Sequence, residues 1–233
     1  MSYGRKAIGT VGLMSGIPFL PTKFMWSFQK MSIYNERHVT LPSEEILYTG
    51  ATFSLHCAAR NSLVQGRSGD WLFMLDTDQE FDADVLGRLL YSFNEYNLDV
   101  ITGIYYQRGI PHCPLVYRYD EDLGGFQIIS KFEADNVTKI DAAGAGCLLI
   151  RSSVFDKIRL ELNESPFDMR PPLGEDLSFF DRCRELDIEV WCDPRVKVGH
   201  LKVEAVTEED SLLEMENMEH NRHETEFIVG SEF

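Results

Sequence analysis

Two spacing patterns of apolar residues alternate along the first half of the chain. Short apolar runs such as Trp71–Leu75 are typical of strands buried on both faces, whereas apolar residues three and four positions apart indicate helices that pack on one side. The segment after this strand has the second pattern, with Asp82 as its expected N-cap and an apolar face of Val85, Leu86, Leu89, Leu90 and Phe93. The alternation predicts an α/β fold with a mainly parallel central sheet, flanking helices and a small antiparallel part.

The same patterns predict the order of the elements. Strands are expected at residues 7–13, 46–53, 71–75, 99–106, 189–192 and 196–198, with one more ending at residue 151. Helices are expected at residues 22–34, 57–65, from 82 onwards, 153–158 and from the loop at 171–176 to about residue 186. Residues 114–119 and 126–130 are expected to pair as a hairpin. One domain is therefore expected over residues 1–203, followed over residues 204–233 by an acidic, amphipathic helical tail.

Two carboxylates one residue apart end the central apolar run. Asp76 and Asp78 come where open α/β sheets bind ligands, and a slight bend at Thr77 would let both reach one divalent cation. Carboxylate oxygens suit Mg²⁺ or Mn²⁺ rather than zinc. Asp82 and Asp84 repeat the spacing, but they stand at a helix start, where acids serve as cap and dipole partners. The position after a buried strand, and not the spacing alone, predicts a metal-dependent site for a phosphorylated ligand.

The charge of the chain limits its partners. A net charge of −16 over 233 residues disfavours extended nucleic acids and anionic membranes, so a negatively charged substrate would need a metal to neutralise it. No apolar run approaches the roughly 20 residues of a membrane span, and the N-terminus lacks the pattern of a signal peptide. We therefore expect a soluble, cytoplasmic protein. Five widely spaced cysteines without a Cys-x-x-Cys pair are expected to be free thiols.

Three later motifs carry small or ionisable residues. The small residues Ala143, Gly144 and Ala145 would let the backbone approach a ligand closely, or would equally form a Gly-rich turn packed under a helix. Glu175 and Asp176 stand at a helix start, where capping is the simpler explanation. His200 follows a glycine after two short strands, and a single histidine of this kind is usually structural.

The order of these motifs resembles that of the GT-A glycosyltransferases, particularly the compact family-2-like ones. The resemblance runs from about residue 7 to residue 202. It rests on four parts: the opening strand and loop, Ala59-Arg60-Asn61 before Trp71–Asp78, the run Gly144–Ile150, and Gly174-Glu175-Asp176 followed by Gly199-His200. The resemblance implies a GT-A fold and the transfer of a sugar from a nucleoside diphosphate, with UDP or GDP sugars as the expected donors and an unidentified acceptor.

The resemblance also implies roles for individual residues. Asp76 would hold the ribose and the metal shell, Asp78 would bind Mn²⁺ or Mg²⁺ directly, and His200 would complete the shell. Met14, Ser15 and Gly16 would meet the nucleobase, and Thr77 would lie between the acids. Arg60 would touch the nucleotide or a phosphate, unless it is simply an exposed helix residue. The turn Gly144, Ala145 and Gly146 would shape the donor pocket.

The acidic motif bears on the stereochemistry. Glu175 and Asp176 resemble the family's acids near the acceptor, with Asp176 as the general base of an inverting reaction. A histidine metal ligand such as His200 is common among retaining members, so the outcome stays open between the two.

Other functions remain compatible with the sequence. The Asp76 motif is similar to that of haloacid-dehalogenase-type phosphatases, in which this residue would be the nucleophile, although Glu80 replaces their threonine. A nucleotidyltransferase would need a Gly-rich basic loop after the first strand. A non-catalytic module that binds a sugar nucleotide or glycan is a further alternative. The acidic tail is expected to pack on the domain or to join two copies of the chain.

Overall fold

The computed structural model describes residues 5–16, 19–52, 55–131 and 135–202. Its strands are β1 (Lys6–Ser15), β2 (Glu44–Thr52), β3 (Trp71–Asp76), β4 (Gln79–Glu80), β5 (Val100–Ile104), β6 (Val116–Asp120), β7 (Gly125–Ile128), β8 (Thr138–Ile140), β9 (Ala142–Ala143), β10 (Cys147–Arg151), β11 (Val190–Lys197) and β12 (Gly199–His200). Its helices are α1 (Thr22–His38), α2 (His56–Gly66), α3 (Val85–Glu95), α4 (Ser152–Leu162) and α5 (Glu175–Glu185). The expected tail at 204–233, its boundary at residue 203, and residue 53 of the second expected strand lie outside the described residues.

The central sheet has seven strands in the order β2-β1-β3-β10-β5-β11-β8. Strands β2, β1 and β3 pair in parallel, as do β5 and β11, while β10 runs antiparallel between β3 and β5 and β8 runs antiparallel at the edge. Most of the strands therefore run in one direction. This confirms a mixed α/β fold with a largely parallel sheet flanked by helices.

Both faces of the sheet are covered, which explains the unbroken apolar run of β3. Phe73 and Leu75 pack with α1 and α3 on one face, whereas Leu72 and Met74 pack with α2, α4 and α5 on the other. All four side chains are fully buried. Alternate residues of a strand point to opposite faces, so a strand between two helical layers needs apolar residues at every position.

Two predicted details are wrong. Helix α3 begins at Val85 with Asp84 at the N-cap position and no side-chain cap bond; Asp82 belongs to the preceding turn, where its carbonyl accepts a bond of 3.2 Å from the Val85 amide. The two short strands expected at 189–192 and 196–198 are one strand, β11, with a register shift after Asp193. Ser92 and Arg195 donate hydrogen bonds to the buried Asp193 carboxylate. This polar residue therefore interrupts the apolar pattern without ending the strand.

Within the described part of the chain, no helix is long and apolar enough to cross a bilayer.

Candidate functional site

The two acids lie at the carboxyl end of β3, between the ends of β1 and β10. Asp76 is opposite Met14 in the sheet, and its amide donates to the Gly146 carbonyl at 2.9 Å. Asp78 lies in the turn that follows, and its carbonyl accepts a bond of 2.7 Å from the Leu201 amide. The neighbouring pair β4–β12 sets His200 opposite Gln79. The structure thus brings the predicted acids and His200 together at one edge of the sheet.

Arg60 is buried beneath the acid pair and joins three parts of the site. Its guanidinium contacts both Asp76 oxygens at 3.2 Å, the Ala145 carbonyl at 3.1 Å and Glu175 Oε1 at 3.4 Å, and only 3% of its side chain is exposed. The alternative of an exposed helix residue is therefore wrong. Burial alone would lower the pKa of Arg60, but the charges of Asp76 and Glu175 outweigh it and raise that pKa. Burial raises the pKa of Asp76, and Arg60 opposes this shift without cancelling it.

Asp78 faces two cationic groups through one of its oxygens. His200 Nε2 lies 3.4 Å and Arg108 Nη1 lies 3.3 Å from Asp78 Oδ2. Burial would raise the pKa of Asp78, but the hydrogen bond and charge of His200, together with Arg108, lower it overall. The hydrogen bond to Asp78 in turn raises the pKa of His200. The other ring nitrogen of His200 is 2.9 Å from the Tyr106 carbonyl, so when the ring is neutral and Nδ1 donates there, Nε2 presents a lone pair to the site.

Buried polar atoms without a hydrogen bond concentrate at this position. Among the described residues, six buried side-chain polar atoms lack a hydrogen-bond partner, and four of them belong to Asp76 (Oδ1, which Arg60 Nη1 faces as an ion pair at 3.2 Å), Asp78 (Oδ1) and Gln79 (both amide atoms). Buried polar atoms are nearly always bonded, so this concentration indicates room for a ligand, a cation or ordered water. Oxygen donors of this type fit Mg²⁺ or Mn²⁺. In the described ranges, however, no three or more Asp, Glu, His or Cys side chains are grouped closely enough to hold a metal ion, and Asp76 is already paired with Arg60.

The small residues of the turn Gly144-Ala145-Gly146 allow close packing beneath Asp76 and Asp78. A Cβ on Gly144 would stand 2.1 Å from the Tyr105 hydroxyl, and one on Gly146 would stand 2.4 Å from Gln79 Nε2 and 2.9 Å from Asp76 Oδ2. The Gly146 amide donates to the Tyr105 hydroxyl at 3.0 Å. The turn at 144–146, with Ala145 buried in it, thus supports the acid pair from below.

The acidic motif begins α5 on the other side of Arg60. Glu175 contacts Arg60 and lies 3.7 Å from His56 Nδ1, while Asp176 accepts a bond of 2.8 Å from the Leu177 amide. Burial raises the pKa of Asp176, and the charges of Glu175 and Asp76 raise it further. The N-cap position itself is Gly174. Asp176 is therefore close enough to the acid pair to interact with it electrostatically.

The first predicted loop reaches the same edge. Met14 and Ser15 are buried at the end of β1, the Met14 carbonyl accepts a bond of 3.1 Å from the Thr77 amide, and a Cβ on Gly16 would lie 3.5 Å from His56 Nε2. Residues 17 and 18 of this loop are outside the described residues.

Sequence reasoning missed four residues of this site: His56, Gln79, Tyr105 and Arg108. His56 precedes Arg60 by four positions on α2, so helical spacing could have placed both on one face. Tyr105 and Arg108 follow β5, which is separated from β3 by β10, and no local pattern reveals that order.

A separate cavity lies at the opposite edge of the sheet. It has a volume of about 780 Å³, and its lining includes Ile8, Asp70, Trp71 and Arg151. These residues mark the other ends of β1, β3 and β10, so the cavity is not part of the candidate site.

Comparisons with known proteins support the fold only. No model of a known protein family and no curated protein matches the chain. Among solved structures, the crystal structure of A197 from STIV is similar to it, with a TM-score of 0.52 and 16% sequence identity over 85% of this chain and 96% of that one. At this identity the match shows a shared α/β architecture.

Proposed function

We propose that this chain is a metal-dependent glycosyltransferase of the GT-A type that takes a sugar from a nucleoside diphosphate, UDP or GDP, and passes it to an acceptor still to be identified. The observation that carries the proposal is the set of buried side-chain atoms without a hydrogen-bond partner on Asp78 and Gln79, beside the Arg60–Asp76 ion pair, at the carboxyl end of the central strand. Arg60, Glu175 and His200, which the resemblance singled out, lie beside these acids.

In this proposal, Asp78 would hold Mn²⁺ or Mg²⁺ through its unpartnered Oδ1, and Asp76 and His200 Nε2 would have to move closer to complete the shell, because no three such side chains are grouped closely enough in the described ranges. The cation would supply Lewis-acid stabilisation of the departing diphosphate. Arg60 keeps Asp76 in place and ties it to Glu175. Met14, Ser15 and Gly16, at the end of β1, would meet the nucleobase.

Asp176 acts as the general base of an inverting transfer. Its raised pKa makes it a stronger proton acceptor than an ordinary carboxylate, and it lies across Arg60 from the metal-binding acids. It would take the proton of the acceptor hydroxyl as that oxygen attacks the sugar. Glu175 lies beside it and, through its charge, raises that pKa.

A thermal-shift panel tests the proposal. UDP, GDP, CDP and dTDP sugars are added with and without Mn²⁺, and one base is expected to stabilise the protein only when Mn²⁺ is present. At a ligand concentration of 100 times Kd the stabilisation would be about 2.7 kcal/mol. The shift should vanish in Asp78→Ala and persist in Asp82→Ala, which removes one acid of the same spacing in the turn before α3.

The outcomes separate the competing functions. No response to any nucleotide would refute the proposal. Hydrolysis of a sugar phosphate by the wild type, lost in Asp76→Asn, would favour the phosphatase. Metal-dependent nucleotide binding without hydrolysis of the donor or transfer to any offered acceptor would favour the binding module.

A further inference from the structure

Arg108 is a second arginine at the acid pair, and it is held quite differently from Arg60. Its Nη1 lies 3.3 Å from Asp78 Oδ2, yet 52% of its side chain is exposed. Arg60 is enclosed by Asp76, Glu175 and the Ala145 carbonyl. Because exposed ion pairs contribute little free energy, the Arg108 guanidinium can leave Asp78 at small cost, whereas Arg60 cannot leave its partners.

The loop that carries Arg108 is anchored at its base and open at its tip. The Leu115 amide donates to the Tyr105 carbonyl at 3.0 Å, and the Gln107 amide donates to the Cys113 carbonyl at 2.9 Å. At the tip, a Cβ on Gly109 would meet no atom within 4 Å. The backbone therefore keeps Arg108 beside Asp78 while its side chain has space to turn.

A divalent cation and the Arg108 guanidinium compete for the same carboxylate. Asp78 Oδ2 already faces Arg108 and His200, and Oδ1 is buried without a partner. A cation on Asp78 would repel the guanidinium a few ångströms away. A diphosphate bound to that cation would offer the guanidinium new oxygens, which its planar fork can bind in pairs.

We propose that Arg108 exchanges partners when the site fills: it pairs with Asp78 in the free protein and with the diphosphate once the cation has taken Asp78. This inference rests on the proposed function and adds the residue that couples cation binding to nucleotide binding. In the free protein the Arg108 guanidinium balances the charge of the Asp78 carboxylate, and the cation takes over this role when it binds. In an acidic chain, the displaced arginine also supplies positive charge where the diphosphate arrives.

The test is the effect of Arg108→Ala on two dissociation constants. Mn²⁺ alone is titrated by calorimetry, and UDP and GDP are then titrated at saturating Mn²⁺. Removing the competing guanidinium should tighten Mn²⁺ binding by about two- to fivefold. The loss of charge-assisted bonds should weaken binding of the preferred nucleoside diphosphate by about tenfold or more. Opposite signs for the two ligands are the signature of the exchange.

Two further variants control the measurement. Arg118→Ala removes an arginine with the same exposed fraction, 52%, paired with Asp141 at 3.7 Å outside the site, and should change neither constant. Arg108→Lys keeps the charge without the fork, so Mn²⁺ affinity should stay near that of the wild type while nucleotide affinity is intermediate.

Contrary outcomes are distinct. If the wild type binds Mn²⁺ and a nucleoside diphosphate, then an unchanged or lower Mn²⁺ affinity in Arg108→Ala, or an unchanged nucleotide affinity, overturns the exchange and leaves the proposed function standing. If the wild type binds no nucleoside diphosphate, the proposed function fails and this inference fails with it.

Discussion

Gly146 leaves no room for a side chain at the candidate site. Any Cβ at this position would collide with Gln79 Nε2 at 2.4 Å and crowd Asp76 Oδ2 at 2.9 Å. Gly146→Ala should therefore displace Asp76, destabilise the fold by about 1–3 kcal/mol and remove Mn²⁺-dependent nucleotide binding. Urea unfolding and calorimetry measure the two effects.

Gly125 provides the matched control for that substitution. It lies in the hairpin strand β7, and a Cβ there would meet no atom within 4 Å. Gly125→Ala should bind nucleotide and Mn²⁺ as the wild type does. Normal binding of nucleotide and Mn²⁺ by Gly146→Ala would show that the site does not depend on the close packing of this turn against Asp76.

Under the proposed function, Asp176 would serve activity at a cost in stability. Its pKa is raised from the ordinary value of 3.8, mainly by burial, so ionising it costs the folded state free energy. That cost is absent at pH values below the ordinary pKa, appears as the pH rises from there to the raised pKa, and is complete above it. Asp176→Asn should therefore raise the melting temperature at pH 7 while abolishing transfer, and the gain should disappear in acid.

Melting curves of both proteins over a pH series, without nucleotide or divalent cation, measure this difference. Glu161→Gln, an exposed acid on α4, should show no such pH-dependent gain. A variant Asp176→Asn that is less stable than the wild type at pH 7 would contradict the assignment of an unfavourable buried charge. Full transfer activity would remove its role as the base.

At the same scale, the sequence identified several residues that the structure brings together, but not their contacts. Asp76 and Asp78 were suggested by their position after a buried strand, whereas Asp176 and His200 were suggested only by the resemblance to a known family. Arg108 stands in no motif, because its relation to Asp78 depends on how β5 is placed in the sheet. Pairings that arise from strand order are not encoded in any local pattern.

At the scale of elements, the position of α5 depends on the loop between α4 and α5. Glu164 in this loop accepts bonds from Arg170 at 2.8 Å and from the buried Arg182 at 2.6–2.7 Å, while Arg170 also contacts Asp181 and Glu185 on the helix. The network ties the loop to the helix that begins with Glu175 and Asp176. The network thus fixes the helix that carries Glu175 and Asp176, and no sequence motif suggested it.

Glu164→Gln should loosen this support. Arg182 would lose the charge of its partner but could still donate to the Gln oxygen, and 37% of the Glu164 side chain is exposed, so the protein should be destabilised by about 1 kcal/mol at pH 7. Hydrogen bonds from Arg170 and Arg182 lower the pKa of Glu164 below its ordinary value of 4.5, so the difference from the wild type should be complete above that value and disappear as the pH falls through the lowered pKa. Urea unfolding at several pH values measures it, with Glu161→Gln as the control; equal stability at pH 7 would show that the network contributes nothing.

Element prediction from the sequence was reliable where apolar spacing was regular. The stripe of α3 and the unbroken run of β3 were predicted correctly because burial on one or two faces produces those patterns directly. The prediction failed at β11, where Asp193 interrupts the pattern but is satisfied inside the fold. It also misplaced the cap of α3, since both Asp82 and Asp84 are acceptable there and only the backbone decides.

At the scale of the whole molecule, stability should be highest in the middle of the sheet. Strands β3, β10 and β5 lie between other strands and between two helical layers, whereas β2 and β8 form the edges. Hydrogen exchange followed by mass spectrometry should find the slowest amides in the three central strands, because their opening requires global unfolding. Slower exchange in β8 or in the β6–β7 hairpin than in β10 would contradict this order.

Strand β10 gives the molecule a particular order of assembly. It separates β3 from β5, yet it follows both in the chain, so a nascent polypeptide that ends before residue 147 lacks the strand that both must pair with. The turn at 144–146 arrives together with it. During synthesis, the acids at the end of β3 are therefore followed by about 70 residues before the turn that packs against them is made, and the candidate site can form only after β10 has been inserted into the middle of the sheet.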